Sequence, residues 1–361
     1  MLRKIERPNF AGQVLFVGID THKSNWKVSI RTRDLHLKTF SMNPSPDELH
    51  KHMTSHYPGG KYVSVYEAGF CGFWIHRELT RLAFENIIVN PSDVPSTNKE
   101  RDRKSDPIDS GKLSRERANN SLTGIFVPDV HEEALRCLNR LYKQNTRRTT
   151  QTKNRIRGLL HFLGIKLPEE FDRLCWSNNF LTFLDNMQFK DPLNKIVMDT
   201  HVNDLRHART NRTTVLRQIR KASRDVPTIQ LLKTVPGVGL LTAFALYTEL
   251  VDINRFRNLD TPASYVGLVP STQSSDTTIT VGGMSHRHCQ HLRTALIESA
   301  WVAIRNDEAL LFAFNQLAKR MKKADAIVRI AKKLLNRVRF VWKTNSPYTK
   351  GVVEVSLSKE K

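Results

Sequence analysis

Four carboxylates have the type and spacing to hold a metal ion. Asp20 follows the apolar run "VLFVGI", Glu67 closes "YVSVYE", and Asp106 and Asp109 are three apart in "SDPID". Residues three apart on a helix share a face, and two neighbouring carboxylates repel unless a cation or a proton lies between them. Oxygen ligands suit Mg²⁺ or Mn²⁺. If the four converge, a two-metal site could polarise a phosphodiester.

A purely structural interpretation of these acids is also open. Asp106 before Pro107 is a good N-cap with proline at the first helical position, and Asp109 resembles the acid of a capping box. Asp20 and Glu67 are ordinary residues for strand ends. The coincidence of four acids with four element ends in a basic chain favours the metal site.

The elements that would position these acids form an α/β pattern over residues 14 to 90. Apolar runs and alternation predict three adjoining strands, then a strand, a helix and a strand, in the segments "VLFVGID", "WKVSIRTR", "DLHLKTF", "YVSVYEA", "FWIHRELTRLAF" and "NIIVN". This order is the outline of a ribonuclease-H-like domain. A polar, proline-containing connection follows, and a helix begins at Asp106.

The remainder of the chain has helical periodicity. Long helices are predicted from about Val130 to Leu163 and from Leu193 to Ala222, and "LLTAFALY" from Leu240 is typical of a buried helix. The fold class predicted is therefore α/β plus α. Its three parts are an α/β domain (1–128), a basic helical, coiled-coil arm (129–225) and a mainly helical C-terminal domain (226–361).

The charge balance predicts a polyanionic partner. The 361 residues contain 57 Lys and Arg against 35 Asp and Glu, a formal charge of +22. Nucleic acid is the leading candidate, and an anionic membrane surface is the weaker one. No apolar run is long enough to span a bilayer, and the N-terminus lacks an apolar signal region. We expect a cytoplasmic protein without a membrane partner, and reduced thiols at its four widely spaced cysteines.

Two further stretches suggest phosphate contacts. "TVPGVGLLTAF" has the pattern of a helix-hairpin-helix, in which two glycines let backbone approach a phosphate; a plain tight helix–helix turn is the alternative. Between Glu133 and Glu169 there are nine Lys or Arg and no acid, so this face is expected to lie on nucleic acid or in solvent. The candidate nucleic-acid-binding residues are Gly237, Gly239, Arg147, Arg148, Arg155, Arg157, His286, Arg287 and Arg293.

The hydroxyl-rich stretch Gly267 to Thr280 is predicted to be a surface loop, because Ser- and Thr-rich segments usually form turns. A serine nucleophile needs a base, a metal ion or an arginine nearby, and the residues alone show none. The histidines of "SHRHCQHLR" match no zinc spacing, so phosphate contact is preferred there.

Five motifs in one order carry a resemblance to a known family. They are "VGIDTHK", "VYEAGF", "RKSDPIDSGKLSR", "LLKTVPGVGLLTAFAL" and "YVGLVPSTQSSD". The chain resembles the DEDD insertion-sequence transposases, relatives of the Piv- and MooV-type DNA recombinases, from about Val17 to Tyr348. The resemblance implies a RuvC-like domain whose four acids, Asp20, Glu67, Asp106 and Asp109, bind Mg²⁺ or Mn²⁺.

The resemblance also implies a serine nucleophile that forms a covalent link to DNA. The matching residue is Ser275. Asp276 stands where the family has glycine, and "SHRHC" departs from the family's Ser-Lys-x-Gly-Asn, so Ser274 and Ser285 stay as further candidates. The family implies DNA element ends and a target as substrates, a guiding bridge RNA, and a homodimer or homotetramer with an active site shared between subunits.

Three functions are thus open. The first is an RNA-guided transposase or recombinase that uses metal and serine. The second is a RuvC-type metal-dependent, structure-specific nuclease, which needs the acids but not Ser275. The third is a nucleic-acid-binding protein without catalysis, which would tolerate loss of the acids.

Overall fold

The structure, a computed structural model, describes residues 9–95, 106–172, 176–275, 278–284 and 289–351. Contacts within the chain divide it into two compact units, Met1–Val127 and Pro128–Lys361. The predicted division into three domains stays a prediction. Within the described residues no helix is both long and apolar enough to cross a membrane.

The first unit contains a five-stranded mixed sheet. Its strands are β1 (Val14–Thr21), β2 (Trp26–Arg31), β3 (His36–Met42), β4 (Lys61–Glu67) and β5 (Glu85–Val89). Their order in the sheet is β3-β2-β1-β4-β5, with β1, β2 and β3 antiparallel and β4 and β5 parallel to β1. The predicted strands are confirmed, as is the α/β class of this part of the chain.

Helices cover both faces of this sheet. They are α1 (Pro46–His56), α2 (Trp74–Arg81) and α3 (Asp106–Ala118). The alternating residues Leu15, Val17 and Ile19 of β1 share one apolar core with α1 and α2, whereas Val65 of β4 packs with Leu113 of α3. Because neighbouring strand residues point to opposite faces, α3 lies on the face opposite to α1 and α2.

Helix α1 is an element that the sequence prediction omitted. Ser45 caps it by accepting a hydrogen bond from the Glu48 nitrogen, and Pro46 is its first residue. Its buried side chains are few, namely Pro46, Leu49 and Met53, so its apolar periodicity is short and easily missed.

In its described residues the second unit is helical apart from one pair of antiparallel strands. Its helices are α4 (Val130–Phe162), α5 (Glu169–Asp172), α6 (Asn178–Asp185), α7 (Pro192–Arg224), α8 (Pro227–Leu232), α9 (Leu240–Leu250), α10 (Asp260–Val266), α11 (Gln290–Asn306), α12 (Glu308–Ala318) and α13 (Lys323–Thr344). The predicted long helices and the buried helix from Leu240 are confirmed.

Helices α4 and α7 pack antiparallel along their length. At one end Ile156 of α4 shares a core with Met198 of α7, and at the other end Leu135 shares a core with Ile219. Between these apolar ends α4 buries polar residues, among them Asn145. The regular apolar seam of a coiled coil is therefore interrupted, and the coiled-coil arm stays a prediction.

The hydroxyl-rich stretch is not a loop, contrary to the prediction. Strands β6 (Pro270–Ser275) and β7 (Thr278–Met284) pair antiparallel within it. The prediction weighted the turn preference of serine and overlooked the β-branched Thr, Ile and Val residues, which favour strands. The candidate serines Ser274 and Ser275 consequently belong to β6, where their backbone pairs with Ile279 and Thr278.

Candidate active site

Asp20 and Glu67 lie side by side at the carboxyl edge of the sheet. In the parallel pairing of β1 and β4, Gly18 is opposite Val65 and Ile19 is opposite Tyr66, so the next pair is Asp20 and Glu67. Strand alternation puts both acids on the face of Gly18 and Val65, which is the face that α3 covers. Both residues are partly exposed. Two carboxylates thus occupy adjacent strands about 4.8 Å apart.

Helix α3 packs closely against β1 at Gly18, where there is no room for a side chain. A Cβ at Gly18 would overlap the carbonyl oxygen of Ser110 and lie 2.5 Å from the nitrogen of Ser114. Ser110 and Ser114 are fully buried, and Gly111 of the same helix faces the Ser29 hydroxyl of β2. Small residues on both surfaces therefore fix the position of α3 on the sheet.

The direction of α3 brings its first turn to the acidic edge. Arg117 and Ala118, near its end, line one cavity together with Val14 and Phe16 at the beginning of β1, so the helix runs antiparallel to the strand. From Gly18 to Asp20 the strand advances about 6.7 Å, which corresponds to about 4.5 residues of helix. The part of α3 level with Asp20 is therefore about 4.5 residues before the segment from Ser110 to Ser114 that contacts Gly18. This falls at about positions 106 to 109 of the helix.

The structure describes the side chains of three of the four predicted acids, Asp20, Glu67 and Asp109. Asp109 is partly buried within the first turn of α3, and Asp106 begins that helix, although its side chain lies outside what the structure describes. Among the described residues, no three His, Cys, Asp or Glu side chains already converge as a metal-binding group. The donor set fits a hard divalent cation by its chemistry, because all of its side chains are carboxylates and offer oxygen ligands.

His22 is a neighbour of Asp20 that the sequence analysis did not select. Its Nε2 atom lies 3.2 Å from Oδ2 of Asp20, and its side chain is about half exposed, at 47%. The available signal was its position two residues after Asp20 at a strand end, which keeps both side chains on one face. The contact places the imidazole beside the Asp20 carboxylate.

A buried polar network supports the segment that follows Glu67. The Ser64 hydroxyl donates to Asn86 (2.7 Å), whose amide nitrogen lies 2.8 Å from Nδ1 of His76. The Tyr66 hydroxyl accepts from the His76 backbone nitrogen and donates to the Gly72 carbonyl. Burial, and then the charge of a neighbouring arginine, lower the pKa of His76, so this imidazole is kept neutral.

Substitution of Gly18 by alanine tests the placement of α3. We expect a loss of about 3 kcal/mol in the free energy of unfolding of the first unit, because the atoms that the new methyl group overlaps are backbone. Urea titration followed by far-ultraviolet circular dichroism measures it. Gly111→Ala in α3 is the matched control, since its Cβ meets only the Ser29 oxygen at 3.8 Å. Equal stability of the two variants would contradict the close approach.

The glycines of "VPGVG" have different surroundings. Gly237 has φ +79°, and a Cβ there would overlap the Ser299 carbonyl oxygen of α11, so the helix packing itself requires this glycine. Gly239 caps α9 and has open space at its Cβ position. The packing at Gly237 accords with the plain helix–helix turn, and Gly239 alone has the room that approach to a phosphate needs.

The basic residues of α4 have two kinds of surroundings: some line a cavity or contact an aromatic ring, and one is buried in the protein. Arg148 and Arg155 line a cavity of about 330 Å³ with His207 of α7, and Arg157 stacks over the Trp176 ring at 5.8 Å. Arg136, in contrast, is buried against protein, where Nε lies 3.5 Å from the Glu249 carboxylate. The expectation that the whole basic face meets nucleic acid or solvent is therefore wrong for Arg136, because a fully buried acid neutralises it.

Other candidates are described only in part. Arg147 is exposed on α4, and Arg293 is half-buried in the first turn of α11. Ser285, His286 and Arg287 lie outside the described residues, as do the side chains of Ser274 and Ser275. Cys71, Cys137 and Cys289 are free thiols, as predicted, and Cys175 falls outside the described part of the chain.

The fold and its acidic edge fit a ribonuclease-H-like domain, the class to which nucleases and transposases with carboxylate sites belong. Two family models match this chain: the DEDD transposase model of the IS110 group at residues 17–165, and the transposase model of the IS116/IS110/IS902 family at residues 229–314. The chain belongs to the DEDD-type insertion-sequence transposases of the IS110 family.

Curated relatives agree with this assignment. The chain is 29% identical over 304 residues to the putative transposase y4rJ of Sinorhizobium fredii, covering 76% of each chain. It is 27% identical over 237 residues to the putative transposase y4qE of the same organism, covering 65% of this chain and 57% of that one. It is 23% identical over 246 residues to the transposase for insertion sequence element IS1111A of Coxiella burnetii, covering 68% and 66%.

Proposed function

We propose that this transposase cuts and rejoins DNA with a divalent metal site on its first unit and a serine nucleophile on its second. The observation that supports the first half is the close contact of α3 with Gly18, two residues before Asp20 on the strand that pairs with β4. The serine half is supported by the family resemblance, which matches Ser275.

The acids would bind Mg²⁺ or Mn²⁺, which supplies Lewis-acid polarisation of the phosphodiester and stabilises the leaving oxygen. Asp20 and Glu67 orient this site from adjacent strands, and Asp109 closes it from the helix. His22 holds the Asp20 carboxylate through its Nε2 contact and keeps it directed along the edge. The hydrogen-bond network of Ser64, Tyr66, His76 and Asn86 restrains the end of β4, where Glu67 lies.

The proposed cleavage of the DNA strand is a transesterification. The Ser275 hydroxyl loses its proton and attacks phosphorus, so that a serine–phosphate ester forms as the bond to a deoxyribose oxygen breaks. The leaving oxygen takes up a proton, and attack by a second DNA hydroxyl later restores the serine. Ser275 is the last residue of β6, and the family resemblance supports it as the candidate over Ser274.

The partners proposed are the DNA element ends, a target DNA and a guiding bridge RNA. The net charge of +22 supports binding of phosphate backbones in general, and the cationic face of α4 is the surface we assign to it. A homodimer or homotetramer, in which one subunit's serine meets another's acids, follows from the family resemblance.

A RuvC-type nuclease is the second candidate. It is favoured by one observation: the acidic edge is built from described strands and a helix, independently of any serine. Such an enzyme would cleave DNA by metal-assisted hydrolysis and would leave no covalent protein–DNA link.

A trapping experiment separates the two. Purified protein, with RNA co-expressed from the flanking DNA, is incubated with labelled junction DNA and Mg²⁺ and run on a denaturing gel. We expect a covalent protein–DNA band that Ser275→Ala abolishes, while Ser274→Ala and Ser285→Ala retain it. If cleavage survives Ser275→Ala and no covalent band forms in any variant, the nuclease function replaces the recombinase function.

A further inference from the structure

A buried carboxylate organises the base of helix α4. Glu249, at the end of α9, is fully buried. Arg140 donates to it through both Nε (3.1 Å) and Nη2 (3.0 Å), in the paired geometry that guanidinium and carboxylate groups prefer. Arg136 lies beside the same carboxylate and donates to the Thr248 carbonyl at 3.1 Å. Two arginines thus share one acid, and the cluster keeps a net charge of +1.

Arg140 has donors left after this pairing. A guanidinium has five N–H groups, and the bond to Glu249 uses two of them. The Arg140 side chain is 51% exposed although its partner is completely buried. The residue is therefore fixed on one side by a rigid anchor and open on the other.

The open side of Arg140 faces a cavity of about 580 Å³ between α4 and the first turn of α11. Lys143 and Arg147 line it from α4, and Gln290, His291 and Thr294 line it from α11. None of its lining residues is acidic. Among the described residues Lys143 has no carboxylate partner, and burial lowers the pKa of its ammonium group.

These features match what a phosphate group requires. Three cationic side chains converge on one cavity, and Gln290 and Thr294 add side-chain hydrogen-bond donors. A solvated cationic face would be convex and its arginines would be unanchored, whereas this one is concave and braced by Glu249.

We infer that the cavity between α4 and α11 binds one phosphodiester of the nucleic-acid backbone, held by Arg140, Lys143 and Arg147. This inference rests on the proposed function for its ligand, and it names one contact site within the broad basic face. Cavity binding fixes the nucleic acid relative to α11, which begins shortly after the hairpin of Ser274 and Ser275. Glu249 is a positioning residue, since it orients Arg140 and does not face the cavity.

The test is the salt dependence of binding, measured in EDTA so that cleavage plays no part. Fluorescein-labelled duplex DNA of the element end and labelled flanking RNA are titrated with full-length protein. Lys143→Met and Arg147→Gln are each expected to reduce the slope of log affinity against log salt by about 0.7–0.9, as loss of one phosphate contact does. Lys221→Met, at an exposed lysine of α7 outside the cavity, is the matched control and should keep the wild-type slope.

The two probes identify the source of the phosphate. A reduced slope with duplex DNA alone, or with RNA alone, supports the site and names its ligand. An unchanged slope with both probes in Lys143→Met and Arg147→Gln overturns the inference, as does an equal reduction in Lys221→Met. Because no step of this assay needs metal or Ser275, failure of the proposed chemistry would leave its result unaffected.

Discussion

Replacement of Asp20 by asparagine is expected to reduce the rate of DNA strand cleavage about a thousandfold. Asparagine keeps the size and one oxygen of the side chain but removes the negative charge that a divalent cation requires. Metal polarisation of a phosphodiester contributes several kcal/mol to transition-state stabilisation, and each 1.36 kcal/mol corresponds to a factor of ten in rate. The measurement is single-turnover cleavage of labelled junction DNA at saturating protein and Mg²⁺.

Asp34→Asn provides the matched control for this experiment. Asp34 is an exposed aspartate in the turn between β2 and β3, away from the acidic edge, and its substitution should leave the cleavage rate unchanged. Binding of the same DNA in EDTA should be equal in both variants. Cleavage or rearrangement at the wild-type rate in Asp20→Asn would make the acids structural and favour a nucleic-acid-binding protein without catalysis.

Substitution of Glu249 by alanine is expected to lower the free energy of unfolding of the second unit by about 3–5 kcal/mol. The substitution leaves Arg136, which is 8% exposed, as a buried cation without its acid. Removal of one partner of a buried ion pair costs this much because the remaining charge stays desolvated. The Arg140 side chain also loses its anchor, so the cavity of α4 and α11 loses its fixed guanidinium.

The stability measurement is a urea titration of the full-length protein, with the transition of the second unit followed by the fluorescence of its tryptophans. Glu298→Ala on α11 is the control, because this glutamate is exposed, and its loss should change stability by no more than about 0.5 kcal/mol. Glu249→Gln should cost less than Glu249→Ala, since the amide keeps an acceptor for Arg140. A cost below about 1 kcal/mol for Glu249→Ala would mean that the buried ion pair does not hold α4 to α9.

The acidic edge at Asp20 could be predicted from the sequence, whereas the ion pair of Glu249 could not. Asp20 and Glu67 were accessible because each ends a run of regular strand alternation. Adjacency of β1 and β4 then follows from the register of a parallel pair. Glu249 carried no comparable signal, since a single acid at the end of an apolar helix is an ordinary feature.

The errors of prediction have different origins. Helix α1 was omitted because its apolar positions are few, and the β6–β7 hairpin was interpreted as a loop because serine and threonine have opposite preferences there. Arg136 was assigned to nucleic acid or solvent because its acid is 113 residues further along the chain. Only for Arg136 did a distant neighbour decide what the local sequence left undetermined.

The sequence by itself determined the five strands of the first unit, the long helices, the basic character of α4 and the four acids with their positions near element ends. These are properties of neighbouring residues, and periods of two and 3.6 residues express them directly. Only the tertiary structure decided that α3 meets β1 at Gly18 with its first turn towards the acids, that Gly237 serves helix packing, and that Glu249 braces Arg140 beside a cationic cavity. Such contacts join residues 62 to 109 positions apart, and their geometry depends on the packing of whole elements, which local periodicity does not encode.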